Sequence, residues 1–423
     1  ELASHAKTCE DPESFVFTPF DITRTAGHKS DSQGTVRISP WQLKNDHRDL
    51  EGTKEEIETL AHDVLHSGLR ESAFLKRLPG VFPELKYLTD TDEAKDILGE
   101  TKCALLIMYW LTNNHVEAFT RGQESGRKLS EMSWSQILSL TECVQSQEVL
   151  IAVLVVMLVY AFGKLPKFRA QLAPSAERST QVLTHVLDTC PKVLPSYWCL
   201  NDQCQRLAWL CLTRDFDFRQ FLYAETVPAN LTALKEMLQE ESRQGMCEQQ
   251  CLNTYLSCLF VELAASLGKQ SLDGSLYMTE DRWHECELGL DALRHLDSES
   301  EQEIYDRILQ SRADTIRFGF SVVKPESRAQ ARLACICNIW NLEDWTSLSK
   351  AFEEGLQTEE RLALTNYLCA DGISAKPGFL LIKCREFMEN AMENAEVGLV
   401  PALRILLKVH RAVAREFGSS TRT

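Results

Sequence analysis

Fourteen consecutive apolar residues, Val149 to Phe162, are closed on the C-terminal side by Gly163 and Pro166. A bilayer core of roughly 30 Å needs about 20 residues of helix, so the run is too short to span a membrane. It also has no polar face, and Glu148 and Lys164 bound it. A helix that is apolar all round must be covered on every side by other elements of a large core. The segment therefore predicts a soluble body built around a central helix.

With 423 residues and 44% hydrophobic content, the chain exceeds what one compact core usually serves. The pattern from Thr53 onward is helical almost without pause. Ile57, Leu60, Ala61, Val64 and Leu65 fall on one helix face behind a capping box of Thr53 and Glu56. Further helices are expected over 102–120, 133–144 and 148–162, with 164–173 as a loop and Pro174 opening a helix to about 189. Pro191 and Pro195 then mark a lobe boundary. Beyond it, segments 202–214, 230–243, 247–267, 279–296 and 300–316 precede five more at 327–341, 343–354, 358–370, 379–395 and 399–417. Asn230 is read as the N-cap of its helix rather than as a glycosylation acceptor. One stretch departs from the helical period: Phe318, Phe320 and Val322 alternate with small or polar neighbours, as in a half-buried strand.

The expected fold class is all-α, a multi-helical globule or an irregular stack of helical pairs. Its expected parts are an irregular N-terminal arm (1–52), a helical lobe around the apolar helix (53–190) and a C-terminal lobe of paired helices (196–423). The arm contains two possible extended pieces, 14–22 and 35–39. It also holds Thr18-Pro19 and Ser39-Pro40, dipeptides of the kind proline-directed kinases accept. No fixed repeat period is present.

Charge and cysteine usage limit the function classes. Forty-five basic residues against sixty-one acidic ones give −16, a field that repels phosphate backbones and anionic lipid, so no nucleic-acid partner is expected. Between Glu280 and Asp306, ten carboxylates face only Arg282 and Arg294, which suggests a solvated face or a site for a basic protein partner. Fifteen cysteines in a chain this long, odd in number and set in apolar segments, point to free buried thiols in a reducing compartment. Cys247, Cys251 and Cys258 lie within about 40° on a helical wheel. There is no CxxC, and Cys335 with Cys337 forms only a CxC. Residues 1–13 lack the charged lead and apolar core of a signal peptide, so the expected location is the cytoplasm or nucleus.

The strongest catalytic pattern is His62-Asp63-Val64-Leu65-His66. Histidines at i and i+4 share a helix face and could hold zinc, with the carboxylate between them as general base. Asp63 is shorter than the usual Glu, and no third-ligand pattern follows. His115 and Glu117 follow Leu111 and Met108, which stand where alkylhydroperoxidase-like proteins carry cysteines, so that resemblance fails. His284-Glu285-Cys286-Glu287 diverges on a helix by about 100° per residue. Phosphate loops and nucleophile elbows are absent, and no cofactor is implied.

Tyr197, Trp198, Trp209, Phe216, Phe218, Phe221 and Tyr223 form a dense aromatic stretch interleaved with Arg206, Arg214 and Arg219. If exposed, such a set makes an interaction hot spot, with Trp198, Trp209, Arg214, Phe216 and Phe218 as its expected contacts. The resulting expectation is a non-enzymatic intracellular adaptor, or a subunit of a multiprotein assembly, that binds a protein partner through a helical surface. The alternative is a zinc-dependent hydrolase built on His62 and His66. A third reading is a pocket for an apolar ligand beside the 148–162 helix.

Overall fold

A computed structural model describes residues 50–417 with the exception of 90, 191, 192, 318, 375–377, 379, 380, 382 and 395. Most of the expected arm, including its extended pieces and kinase dipeptides, lies outside the described residues. The described part is all-α, with no β-strand among the described residues.

The centre is the apolar helix. Following the chain, α1 (Leu50–His66), α2 (Glu71–Val81), α3 (Asp92–Thr112), α4 (Val116–Phe119) and α5 (Glu131–Leu140) lead to α6 (Gln147–Gly163). Every residue of α6 from Val149 to Gly163 is buried except Tyr160, which is half-buried. Cover comes from α1 and α3 on one side and, later in the chain, from α8 (Ser179–Thr189), α10 (Asp202–Leu212) and α13 (Glu248–Ala264). Each fully buried Val, Leu or Ile contributes about 1.5–3 kcal/mol, so α6 dominates the stability of this core. No single helix among the described residues is long and apolar enough to cross a membrane. Only α6 together with α7 (Pro166–Leu172) passes that test, as a pair bent by 80°.

Several boundaries differ from the sequence reading. Residues 50–52 are already helical, so Thr53 sits buried inside α1 rather than capping it. α3 begins ten residues before the expected start because the Thr91 hydroxyl accepts the Ala94 N–H. It ends at Thr112 rather than near residue 120, where Asn114 takes a positive φ of 53°. Residues 166–172, expected as loop, form α7, with Pro166 in the first helical turn, where its missing N–H costs nothing. Pro174 lies in a turn, and α8 starts only at Ser179. The alternating stretch around Phe320 is not a strand. Val322 is buried in a turn and Phe320 packs edge-on against Trp345, because no neighbouring strand is there to accept a ladder; Phe318 lies outside the described residues.

The remaining helices are α9 (Pro195–Trp198), α11 (Phe218–Leu222), α12 (Thr232–Arg243), α14 (Glu280–Leu293), α15 (Glu301–Ile316), α16 (Pro325–Ile336), α17 (Leu342–Glu353), α18 (Thr358–Cys369), α19 (Cys384–Glu393) and α20 (Leu399–Phe417). Side-chain caps explain several starts: Asn201, Asp217, Ser300 and Asn341 each accept a backbone N–H three residues on. Asn230 does not cap α12. Its side chain accepts the Val227 N–H and closes the single 3-10 turn that precedes that helix.

Two hydrophobic cores result. The larger runs from Ile57 to Cys335 and includes Val193 and Leu194, while the smaller runs from Ile316 to Leu407. They meet at α16, which gives Ala331 and Cys335 to the first and Leu333, Ala334 and Ile336 to the second. Two buried arginines stand at this seam. Arg332 donates to the backbone carbonyls of Ala224 (3.0 Å), Thr226 (2.9 Å) and Leu368 (2.7 Å), and the Tyr305 hydroxyl reaches the first two as well. Arg312 donates once, to the Ile339 carbonyl, and stacks 3.4 Å over Trp340, while its Nε and Nη2 have no hydrogen-bond partner.

Candidate functional site

On α1, His62 and His66 are both exposed, with ring centroids 5.0 Å apart. The carboxylate cast as base is already engaged, because Arg77 of α2 bonds Asp63 at 2.6 Å and holds its carboxyl below the ordinary carboxylate range. Among the described residues, no group of three or more His, Cys, Asp or Glu side chains is placed to hold a metal ion. The spacing along α1 gave no hint of this competition, since Arg77 arrives only when α2 folds back.

The aromatic stretch faces inward. Phe218 is buried, its ring atoms 2.9 Å from where a Cβ on Gly289 would stand, so it is interior rather than an exposed contact. Trp198, Trp209 and Phe216 are half-buried and pack on the larger core. Arg214 is half-buried too, with its Nε 2.6 Å from the Met237 sulfur. These side chains knit α9, α10 and α11 to their neighbours, which accounts for their density.

The cysteines lie mostly in the interior: among the described residues only Cys247 is exposed. All fourteen among the described residues are free, and burial raises the thiol pKa of Cys103, Cys199 and Cys251 to about 12. A thiol held protonated is a poor nucleophile and a poor metal ligand.

Much of the acidic run has partners within the chain, although Asp281, Asp291 and Glu303 stay exposed. Glu280 accepts from the Ser130 N–H and the Ser133 hydroxyl, and Glu303 caps α15 through Ser300. Glu285 is bound by Arg282, and Arg307 and Arg328 pair with Glu299 and Asp306. Two of these contacts tie helices together, Glu280 of α14 to the start of α5 and Asp306 of α15 to Arg328 of α16, while the others lie within a helix or at its start.

An exposed face that combines apolar and basic side chains is on α20. Its inner side buries Ala402, Leu403, Leu406, Leu407 and His410. Its outer side presents two adjacent stripes, one of Ile405 (44% exposed), Val409 (37%) and Ala412, the other of Lys408, Arg411 and Arg415. These three cations form no ion pair among the described residues, whereas Arg404 is bound by Glu360 and the Gly355 carbonyl. Sequence reasoning passed over this face, although the excess of basic residues between 404 and 415 was there to be counted.

Residues 96–415, about three quarters of the chain, match a family described as a family of unknown function, DUF6829. The chain belongs to that family. No curated protein and no solved structure matches it. The matched region covers α20 as far as Arg415 and begins inside α3, leaving α1 with His62, Asp63 and His66 outside.

Proposed function

We propose that this chain is a non-enzymatic adaptor, or a subunit of a larger assembly, that takes a protein partner on the outer face of α20. One observation carries the reading: exposed Ile405 and Val409 lie beside three unpaired cations on one helix of a chain whose net charge is −16. Exposed apolar side chains rimmed by charge are the usual composition of a protein-binding patch. A basic stripe complements an acidic partner. Action in the cytoplasm or nucleus fits a chain whose described cysteines are all free. The zinc-hydrolase alternative draws no support from α1, where Arg77 occupies Asp63.

The test is the mass of the protein purified gently from its native cells. The expected particle is heavier than the 48.1 kDa chain and contains an acidic protein. The pair Ile405→Glu and Val409→Glu is expected to keep the helical circular dichroism and melting temperature yet release that protein. A wild-type chain that purifies only as a bare monomer refutes the proposal.

A further inference from the structure

A cavity of about 220 Å³ opens between α3, the C-terminal end of α6 and the C-terminal end of α13. Its floor is apolar, made by Ala104, Met157 and Ala161, and its rim carries Glu100, Tyr160, Lys164 and Glu262. The walls are tightly fixed. A Cβ on Gly99 would stand 2.9 Å from the Lys269 Cα, and one on Gly268 would stand 2.4 Å from the Cys103 Cβ and 3.0 Å from the Glu100 Cα. Glycine at both positions lets α3 and the turn after α13 touch backbone to backbone beside Glu100.

The rim groups converge. Tyr160 and Glu262 line the same rim, and the Lys164 ammonium sits 4.8 Å over the Tyr160 ring. That ammonium is 3.5 Å from Glu100 and 3.9 Å from Glu262. A seated charge-assisted hydrogen bond is about 2.7–2.9 Å, so Lys164 serves both carboxylates and is well bound to neither. Two carboxylates against one ammonium leave an excess negative charge at the mouth. Burial, with the charge of Glu100, pushes the Glu262 carboxyl up, while Lys164 and Tyr160 pull it down.

We infer that this cleft binds a small primary amine, its ammonium seated between Glu100 and Glu262 and its short apolar tail resting on Ala104, Met157 and Ala161. Lys164 is then a tethered competitor, which swings to solvent on its flexible stem as the ligand enters. The volume suits such a molecule, since an engineered apolar cavity of about 150 Å³ admits benzene. An anion would face two carboxylates, and a purely apolar ligand, the sequence expectation for this helix, would make no use of the charged rim. A bare metal ion lacks its ligands, because no group of three donors is placed for one among the described residues.

The experiment is a titration of the full chain, carrying ¹³C-methyl methionine, with n-butylamine at neutral pH and in parallel with n-butanol, its uncharged analogue. The expected result is a saturable shift of the Met157 methyl signal with the amine and none with the alcohol. Glu262→Gln and Glu100→Gln should each weaken binding roughly tenfold or more, because each removes a charged acceptor. Glu100→Gln also guards against a Glu262 variant that fails to fold. Lys164→Met should tighten binding several-fold, a result that a merely structural lysine would not give. Equal binding of amine and alcohol, weaker binding in Lys164→Met, or an unmoved Met157 signal in both wild type and Lys164→Met would overturn the inference.

Discussion

Arg332 and Arg312 lie at the same seam and are both about 1% exposed, yet their replacement by methionine is expected to have very different consequences. Arg332 serves three carbonyls. Without it, the Leu368 carbonyl at the end of α18 loses its charged donor, and those of Ala224 and Thr226 share the single proton of Tyr305. An orphaned buried acceptor costs about 1–3 kcal/mol, so one to two orphans predict a loss of about 2–4 kcal/mol for Arg332→Met. Arg312→Met leaves the Ile339 carbonyl without its donor at 3.1 Å, one orphan at about 1–3 kcal/mol, and gives up a stack on Trp340 worth about 0.5–2 kcal/mol. It also relieves a buried charge with two unpartnered nitrogens, and an apolar replacement of similar volume at such a site is often neutral or stabilising. Its net effect is expected within about 1 kcal/mol of zero, or favourable. Equilibrium urea unfolding followed by tryptophan fluorescence measures both. A cycle with Tyr305→Phe adds a second check, because that change alone leaves Arg332 on both carbonyls, whereas the double variant strips them and should exceed additivity by about 1 kcal/mol. Equal losses in the two arginine variants, or strict additivity in the cycle, would refute this reasoning.

Three further outcomes are expected. His410 is buried on the inner side of α20, and burial lowers its pKa to about 4 from an ordinary 6.5. The unfolded chain therefore binds the proton first. Stability is full above pH 6.5 and falls as pH drops toward 4, by roughly 3 kcal/mol, and His410→Phe should flatten urea midpoints measured across that window. Leu154→Ala, in the middle of α6, should cost about 2–5 kcal/mol in the same assay, while Glu55→Ala on the exposed face of α1 stays within about 0.5 kcal/mol. Gly268→Ala forces α3 away from the turn after α13 and should lower stability by about 1–3 kcal/mol, whereas Gly126→Ala, with no atom within 4 Å of the added carbon, should leave the melting temperature unchanged.

The chain itself determined the helical class and the place of its centre. A helix apolar on every side can be stable in water only when wrapped, so Val149 to Phe162 announced both the wrapping and the body that supplies it. The periodic segments from 300 to 417 also fell close to the observed helices, because amphipathic spacing and local caps are properties of a few adjacent residues. Function was far less legible. The outer face of α20 could have been found by counting cations, but that those cations are unpaired depends on which carboxylates reach them. Two of the carboxylates in the 280–306 run were illegible in the same way, since Ser130, Ser133 and Arg328 are brought to Glu280 and Asp306 by other helices. The cleft holds Glu100, Lys164 and Glu262, residues far apart in sequence with no shared motif. Periodicity records how each helix turns its faces. Which charge meets which is settled only when helices pack, because ion pairing depends on distances of a few ångströms that no spacing along the chain encodes.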